Sequence, residues 1–229
     1  MKILLVALSL VLSISIAFTQ TPSAENAVTT AKTPDEIVQF VYKQVSTKNL
    51  WENPTLKSEV ESHVDYQTLA KNAFGQDFKK WSESDRQWFV ATVKEIITRT
   101  VYPKAPEFFK DVKITFKPAK LNQKRAKVES EVQKKSESLQ VDYIFHQVDG
   151  QWKIVDVSIE EESWTETIST KIAKAIKEKG KEGLKKQLAK RLDDLKKGKN
   201  TSKGPSKVKG KKVWECCCFY WVSGRIYLR

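Results

Sequence analysis

Apolar residues recur at helical spacing through the first half of the chain and at every other position through much of the second. Ile37, Val38, Val41, Tyr42 and Val45 repeat every three or four residues. Ahead of them, Thr33-Pro34-Asp35-Glu36 offers a capping threonine, a proline suited to the first helical position and the glutamate of a capping box. A short charged helix is expected over 54–62. Asp65 is placed to cap a third helix carrying Leu69, Ala70 and Ala73, and Gly75 stands where a left-handed C-terminal cap belongs. A longer helix starts between Ser82 and Asp85 and carries Phe89, Val93, Ile96, Ile97 and Thr100 on one face. It must end before Pro103, because the residue preceding a proline disfavours the helical region. Pro106 and Phe108-Phe109 close the helical half.

The period then changes to two. Val112, Ile114 and Phe116 alternate with polar residues, as do Ala126, Val128 and Val132, and then Leu139, Val141, Tyr143 and Phe145. A fourth run holds Trp152, Ile154, Val155, Val157 and Ile159, separated from the third by Asp149-Gly150, a strong hairpin signal. Consecutive strands with short connections predict an antiparallel meander with one apolar and one polar face. Two helices follow, one over 163–177 with Ile168, Ile172 and Ile176, the other over 181–197 with Leu184, Leu188, Leu192 and Leu195. Gly180 and Gly183 sit at the break. Helices, four strands, helices is an α+β order: a four-stranded antiparallel sheet wrapped by N-terminal and C-terminal helices.

The two ends differ from this middle. Lys2 precedes an almost unbroken apolar run from Ile3 to Ile16, and the small residues Ser15, Ala17 and Ala24 offer exits. That is the pattern of a cleaved secretory signal. It is shorter than the ~20 apolar residues of a membrane-spanning helix, although an uncleaved anchor is the alternative. Residues 1–24 are therefore read as signal peptide and short linker, 25–197 as the folded domain, and 198–229 as a basic disordered tail. The tail changes the meaning of the charge. The whole chain carries +13, but residues 199–229 account for +7 of it and the other 198 residues for +6. The domain thus has a mixed-charge, solvated surface, and its charge does not call for nucleic acid. All three cysteines are adjacent, at Cys216, Cys217 and Cys218, without metal-ligand spacing. A domain lacking cysteine must be held by its apolar core.

Candidate chemistry is sparse. His63 and His146 are the only histidines and neither belongs to a metal-binding motif. His146 is expected on a strand opposite Phe145, facing solvent. Asp65 reads as a cap, and Asp142 and Asp156 as residues that face solvent or hold a turn. No nucleophile elbow, phosphate loop or dinucleotide fingerprint is present.

Two stretches carry a resemblance: VDYQTLAKNAFGQDFKKWSESDRQWFVATVKEIITRTVY (64–102) and VDYIFHQVDGQWKIVDVSIEEES (141–163). VDY with LAK, Gly75, Trp81-Ser82, DRQWF (85–89), Thr100 and Tyr102 come first in order. VDY (141–143), GQWKIVDVSIE (150–160) and Ser163 follow. In this order and spacing they resemble the MlaC family, or toluene-tolerance protein D type, from about residue 34 to 195. The chain departs from the family at Glu161, where glycine is usual, and at Ile168-Ser169, where Tyr-Arg is common. Those departures bear on partner contacts more than on the interior.

The resemblance implies a cone like that of nuclear transport factor two, with an apolar cavity between sheet and helices. It implies a soluble periplasmic phospholipid carrier that is not an enzyme, with bound phospholipid as cargo, no cofactor, no metal and no nucleic-acid partner. Its partners would be an outer-membrane lipoprotein complex and an inner-membrane ABC transporter with MCE domains, and its role the maintenance of outer-membrane lipid asymmetry. On that reading the cavity is lined from the sheet by Val112, Ile114, Phe116, Val128, Val132, Val141, Tyr143 and Phe145. From the helices it is lined by Tyr66, Leu69, Phe89, Val93, Ile96, Ile97, Tyr102 and Phe108. Burying methylenes at about 0.8 kcal/mol each would suffice for tight binding without covalent chemistry. Two other readings stand beside it. A small enzyme on the same cone needs a polar pair in the cavity. A membrane-surface binder would act through its basic tail.

Overall fold

The protein is described by a computed structural model over residues 32–46, 50 and 52–198. The expected signal peptide, the tail beyond Gly198 and the cysteines lie outside the described residues. The helical half consists of α1 (Pro34–Val45), α2 (Pro54–Ser62), α3 (Tyr66–Phe74), a 3-10 turn (Gln76–Lys80), α4 (Glu83–Val101) and α5 (Ala105–Phe108). The starts are set by the residues that the sequence offers as caps. The Glu36 carboxylate accepts from the Thr33 N–H at 2.7 Å while the Thr33 hydroxyl accepts from the Glu36 N–H. Asp65 accepts from the Thr68 N–H at 2.9 Å, and Ser82 from the Asp85 N–H.

The sheet has six strands, not the four expected: β1 (Lys113–Phe116), β2 (Lys120–Asn122), β3 (Arg125–Lys134), β4 (Glu137–Val148), β5 (Gln151–Ile159) and β6 (Glu162–Ser163). The spatial order is β1-β3-β4-β5-β6, with β2 also on β3, and every pairing is antiparallel. The two additional strands are three and two residues long, too short to show an alternation. β2 is exposed along its whole length, and β6 forms only as the chain turns out of β5 toward the last helix. That turn places Glu160 and Glu161 at φ 49° and 66°. The left-handed region explains why glycine suits position 161, and this chain holds a glutamate there at a cost in strain.

One irregularity decides what faces the helices. Phe145 pairs with Ile154 but Ile144 pairs with Asp156, so Val155 is the extra residue of a β-bulge. Across it, Ala126, Phe145 and Ile154 lie in one row and Val128, Tyr143 and Val157 in the next. The bulge keeps Ile154 and Val157 on the same face although three positions separate them.

The polar face is not simply solvated. Glu129 and Asp142 are buried, which corrects the expectation that Asp142 faces solvent. Glu129 takes Lys117 (3.3 Å), Lys120 (2.5 Å) and Lys127 (3.0 Å), and Lys127 also reaches Asp142 at 3.0 Å. Long lysine stems lie over the strands and cover the carboxylates they neutralise.

The two expected C-terminal helices are present and meet at Gly180, whose φ of 68° breaks the helix; together they are α6 (Trp164–Lys196). Asp85 near the start of α4 pairs with Lys181 and Lys185 just past the break. These contacts hold its carboxyl well below the usual carboxylate range. The core is layered. α3, α4, α6 and the 3-10 turn close around Phe74, Phe78, Trp81 and Phe89, with Phe74 and Phe89 edge to face at 5.0 Å. α1 lays Ile37 and Val38 against Ala126, Val128, Phe145 and Ile154.

Candidate functional site

Between the sheet and the helices the packing leaves a pocket of about 170 Å³. Its floor is Tyr143, Ile154 and Val157. α3 brings Tyr66 and Leu69, and α6 brings Trp164 and Ile168. α4 contributes Val93, Ile96, Ile97, Thr100 and Val101, followed by Tyr102, while α1 adds Val41 and Val45, α2 adds Val60, and Val64 follows. Among the described residues, no charged side chain is in this wall.

Local hydrogen bonding fixes two of the walls to the floor. The Ile154 N–H donates to the His63 carbonyl at 2.8 Å, and the Asp65 N–H donates to the Ile154 carbonyl at 2.9 Å. The chain just before α3 is thereby stitched to β5. Asp65 then caps α3 and its other oxygen lies 2.8 Å from His146 Nε2. His146 therefore pairs with a carboxylate and is only partly exposed, contrary to the reading of a solvent-facing histidine. Burial raises the Asp65 pKa, but hydrogen bonds from Thr68 and His146 outweigh it and hold the carboxyl below its ordinary value.

On the other side, Asp156 accepts from the Val157 N–H (2.8 Å), the Ser163 hydroxyl (2.5 Å), and the Thr165 N–H and hydroxyl (3.1 and 2.9 Å). It holds the turn into α6 and so places Trp164 and Ile168 on the pocket.

The polar atoms of the wall are hydroxyls. Those of Tyr66 and Tyr102 face each other at 3.4 Å, long for an O–H···O bond. Burial first, and then the neighbouring Tyr102, push the Tyr66 phenol well above its ordinary pKa; burial pushes Tyr102 up to about 12. Both are neutral donors at any physiological pH. Thr100 is buried, and its hydroxyl has no hydrogen-bond partner among the described residues. Lys94 lies over the Tyr66 ring, 5.2 Å from its centroid, and pairs with Glu61 at 2.8 Å.

Seven of the residues named from sequence meet on this wall: Tyr66, Leu69, Val93, Ile96, Ile97, Tyr102 and Tyr143. Others lie elsewhere. Phe89 is in the aromatic cluster between α3, α4 and α6. Val128 and Phe145 are fully covered beneath α1, with Phe116 beside them. Val132 and Val141, with Val112 and Ile114, pack together at the far end of the sheet. The Phe108 side chain lies outside the described residues. The sheet face is thus mostly solid core, because α1 and the strands themselves fill it.

Sequence reasoning missed Val60, Val64 and Trp164, which belong to no long stripe. It also missed Val41, Val45, Ile154, Val157 and Ile168, whose periodicity was plain but whose depth was not. The arrangement can enclose an apolar chain, since the surface it presents is almost wholly apolar; among the described residues no charged side chain lines it. Among the described residues, no helix is long and apolar enough to cross a membrane.

The family model for the MlaC protein matches residues 33–190. No curated protein matches the chain. Among solved structures, the phospholipid-binding protein from Ralstonia solanacearum, determined at 1.53 Å in complex with a phospholipid, is similar with a TM-score of 0.61. The identity is 20%, over 71% of this chain and 96% of that one. At that identity the likeness is one of fold.

Proposed function

The chain belongs to the MlaC family, and from this premise we propose that it is a soluble phospholipid carrier that takes acyl chains into the pocket between α3, α4, α6 and the sheet. The observation that supports this reading most directly is the wall itself, apolar on every element and free of charge. Such a surface favours hydrocarbon and gives a cargo no reason to react. The polar groups its residues carry are two neutral phenols and a threonine hydroxyl, whereas acid–base catalysis calls for a group that titrates near the working pH, and this supports a carrier over an enzyme.

At about 170 Å³ the pocket is smaller than the ~300–1,000 Å³ typical of ligand sites. Loading therefore widens it, and the lipid replaces protein contacts that the empty state makes. The carrier acts in the periplasm. It is exported by the signal over residues 1–24, binds lipid with the domain over 25–197, and trails the basic tail over 198–229. It moves phospholipid between an outer-membrane lipoprotein complex and an inner-membrane ABC transporter with MCE domains. Purification of the full chain from a bacterial periplasm without detergent, followed by lipid extraction and mass spectrometry, tests this. About one phospholipid per protein is expected. A folded protein that carries none, and takes none from vesicles, refutes it.

A further inference from the structure

The wall of the pocket is uncharged among the described residues, but charge gathers beside it where α2 meets α4. On α4, Lys94 stands three residues before Ile97 and seven before Val101, both of which line the pocket. On α2, Glu61 follows the lining residue Val60 and precedes another, Val64, by three. Lys94 and Glu61 meet at 2.8 Å, with the Lys94 ammonium over the Tyr66 ring. Lys57, one turn back on α2, comes within 3.3 Å of the other oxygen of Glu61. The Glu61 side chain is 11% exposed, against 30% for Lys57 and 43% for Lys94. Its charge also reaches the pocket phenols, adding to the rise that burial causes in the pKa values of Tyr66 and Tyr102. The carboxylate therefore lies toward the two tyrosines, and the two ammonium groups lie toward water.

The charges of this cluster do not balance. Two cations share one carboxylate, whose Oε1 is buried and accepts no hydrogen bond among the described residues. The neighbouring acids are engaged elsewhere: Glu59 with Lys32 at 3.2 Å, and Glu95 with Arg99 and Lys196 at 2.9 and 3.3 Å. Asp85 and Glu129 also gather lysines, but those of Asp85 lie over Trp81 and Trp88, outside the wall, and those of Glu129 on the polar face of the sheet. An ammonium has three donors, so Lys57 and Lys94 can each keep Glu61 and take a second acceptor. One monoanion brings the cluster to two charges of each sign. A phosphodiester is such an anion. Inside the uncharged wall its desolvation would be prohibitive, whereas beside the wall it meets two cations that are still partly in water.

We infer that Lys57 and Lys94, oriented by Glu61, form a phosphodiester site at the rim of the pocket, which recognises the phosphate of a lipid whose acyl chains enter the apolar interior. The inference rests on the carrier reading and adds to it the part of the head group that is recognised. Glu61 has two opposed effects: it orders the ammonium groups and repels the anion they attract.

The full chain, stripped of lipid, is tested with dipalmitoyl phosphatidylglycerol in competition with dipalmitoylglycerol, which has the same chains and no phosphate. The quantity read is the ratio of the two affinities, compared between variant and wild type so that the properties of the free lipids cancel. Lys94→Gln is expected to lower the ratio about two- to fivefold, the range of one partly exposed ion pair. Glu61→Gln raises it by a similar factor. The opposite signs separate recognition from support, because a cluster that merely ties α2 to α4 is broken by either change and shifts both variants the same way. The triple variant Lys57→Gln, Lys94→Gln, Glu61→Gln leaves no carboxylate unpaired. It lowers the ratio about as far as Lys94→Gln and binds dipalmitoylglycerol like wild type. Glycerophosphoglycerol, the head group without chains, binds at least about a hundredfold more weakly than the lipid, having no methylenes to bury.

An unchanged ratio in Lys94→Gln and the triple variant, or a shift of the same sign in Lys94→Gln and Glu61→Gln, overturns the phosphate site and leaves the carrier intact. Glycerophosphoglycerol binding as tightly as the lipid assigns the cluster to a water-soluble phosphodiester and overturns its role in lipid recognition. A wild type that binds neither lipid removes the carrier reading and the site with it.

Discussion

Filling the pocket from its floor should separate folding from cargo binding. Val157 lies on β5, facing the helices, on the pocket wall. Val157→Phe replaces a three-carbon side chain by a seven-carbon one, so about four carbons are added to the void of 170 Å³. A methylene is about the size of a water molecule, whose share of liquid volume is ~30 Å³, so the pocket has room for roughly six. At about 0.8 kcal/mol each, excluding about four of them removes about 3 kcal/mol of binding, or roughly two decades of affinity.

The effect on folding has the opposite sign. Filling a void is worth up to about 24 cal/mol per Å³, hence at most about 4 kcal/mol here, and overpacking strain returns about 1–3 kcal/mol of it. Val157→Phe is therefore expected to unfold in urea at or above the wild-type midpoint, while lipid mass spectrometry finds it empty. A folded variant that retains about one lipid per chain would show that cargo does not enter this pocket. A variant destabilised by more than about 2 kcal/mol would show that the void is not there to be filled.

Three further outcomes follow from particular side chains. Glu161→Gly relieves a left-handed φ of 66° and is expected to raise stability by about 0.5–1 kcal/mol in urea unfolding; a loss would mean that the Glu161 side chain makes a stabilising contact. Asp156→Ala strips the acceptor from two N–H groups and two hydroxyls. At about 1 kcal/mol each it should cost about 3–4 kcal/mol in the same assay, and a cost below about 1 kcal/mol contradicts its role in holding α6. The Glu129 carboxyl is held down to about 2 from an ordinary 4.5 by hydrogen bonds from Lys120 and Lys127. Its stabilisation is complete above pH 4.5 and is lost as pH falls toward about 2. Glu129→Gln should flatten melting temperature against pH across that window, and an unchanged slope there would rule the pairing out as a source of acid sensitivity.

Most helix boundaries were legible because they are local events. Thr33, Asp65, Ser82 and Ser163 each accept an N–H at the start of a helix, and a side chain with that chemistry beside an apolar run is visible in the letters. The four long strands were legible for the same reason. What was not legible depends on the third dimension. The two short strands exist only because a longer neighbour supplies the hydrogen bonds. His146 looks isolated in sequence, yet Asp65, eighty-one residues away, comes within 2.8 Å. Apolar alternation told which face of the sheet is buried but not whether a helix fills it. Val128 and Tyr143 are direct cross-strand partners, and one is sealed under α1 while the other borders the pocket.

One signal was present and unread. The run Ile154-Val155-Val157-Ile159 changes parity in its middle, which a regular strand facing a single core does not do. The change is the bulge at Val155, and the site is organised around it. On one side of the extra residue the backbone of Ile154 carries the chain into α3; on the other the side chain of Asp156 carries the start of α6. Neighbouring residues of one strand thereby anchor two opposed walls. α4 supplies more of the lining than any other element, but it is held by apolar packing on α3 and α6 and by the pairs of Asp85 with Lys181 and Lys185. Displacing α3 or α6 from the floor breaks buried hydrogen bonds, which no acyl chain can replace. Displacing α4 breaks apolar contacts that an acyl chain restores in kind, together with ion pairs whose lysines are partly exposed and can return to water. If the proposed cargo widens the pocket, movement of α4 therefore costs less than movement of the walls fixed to residues 154–156.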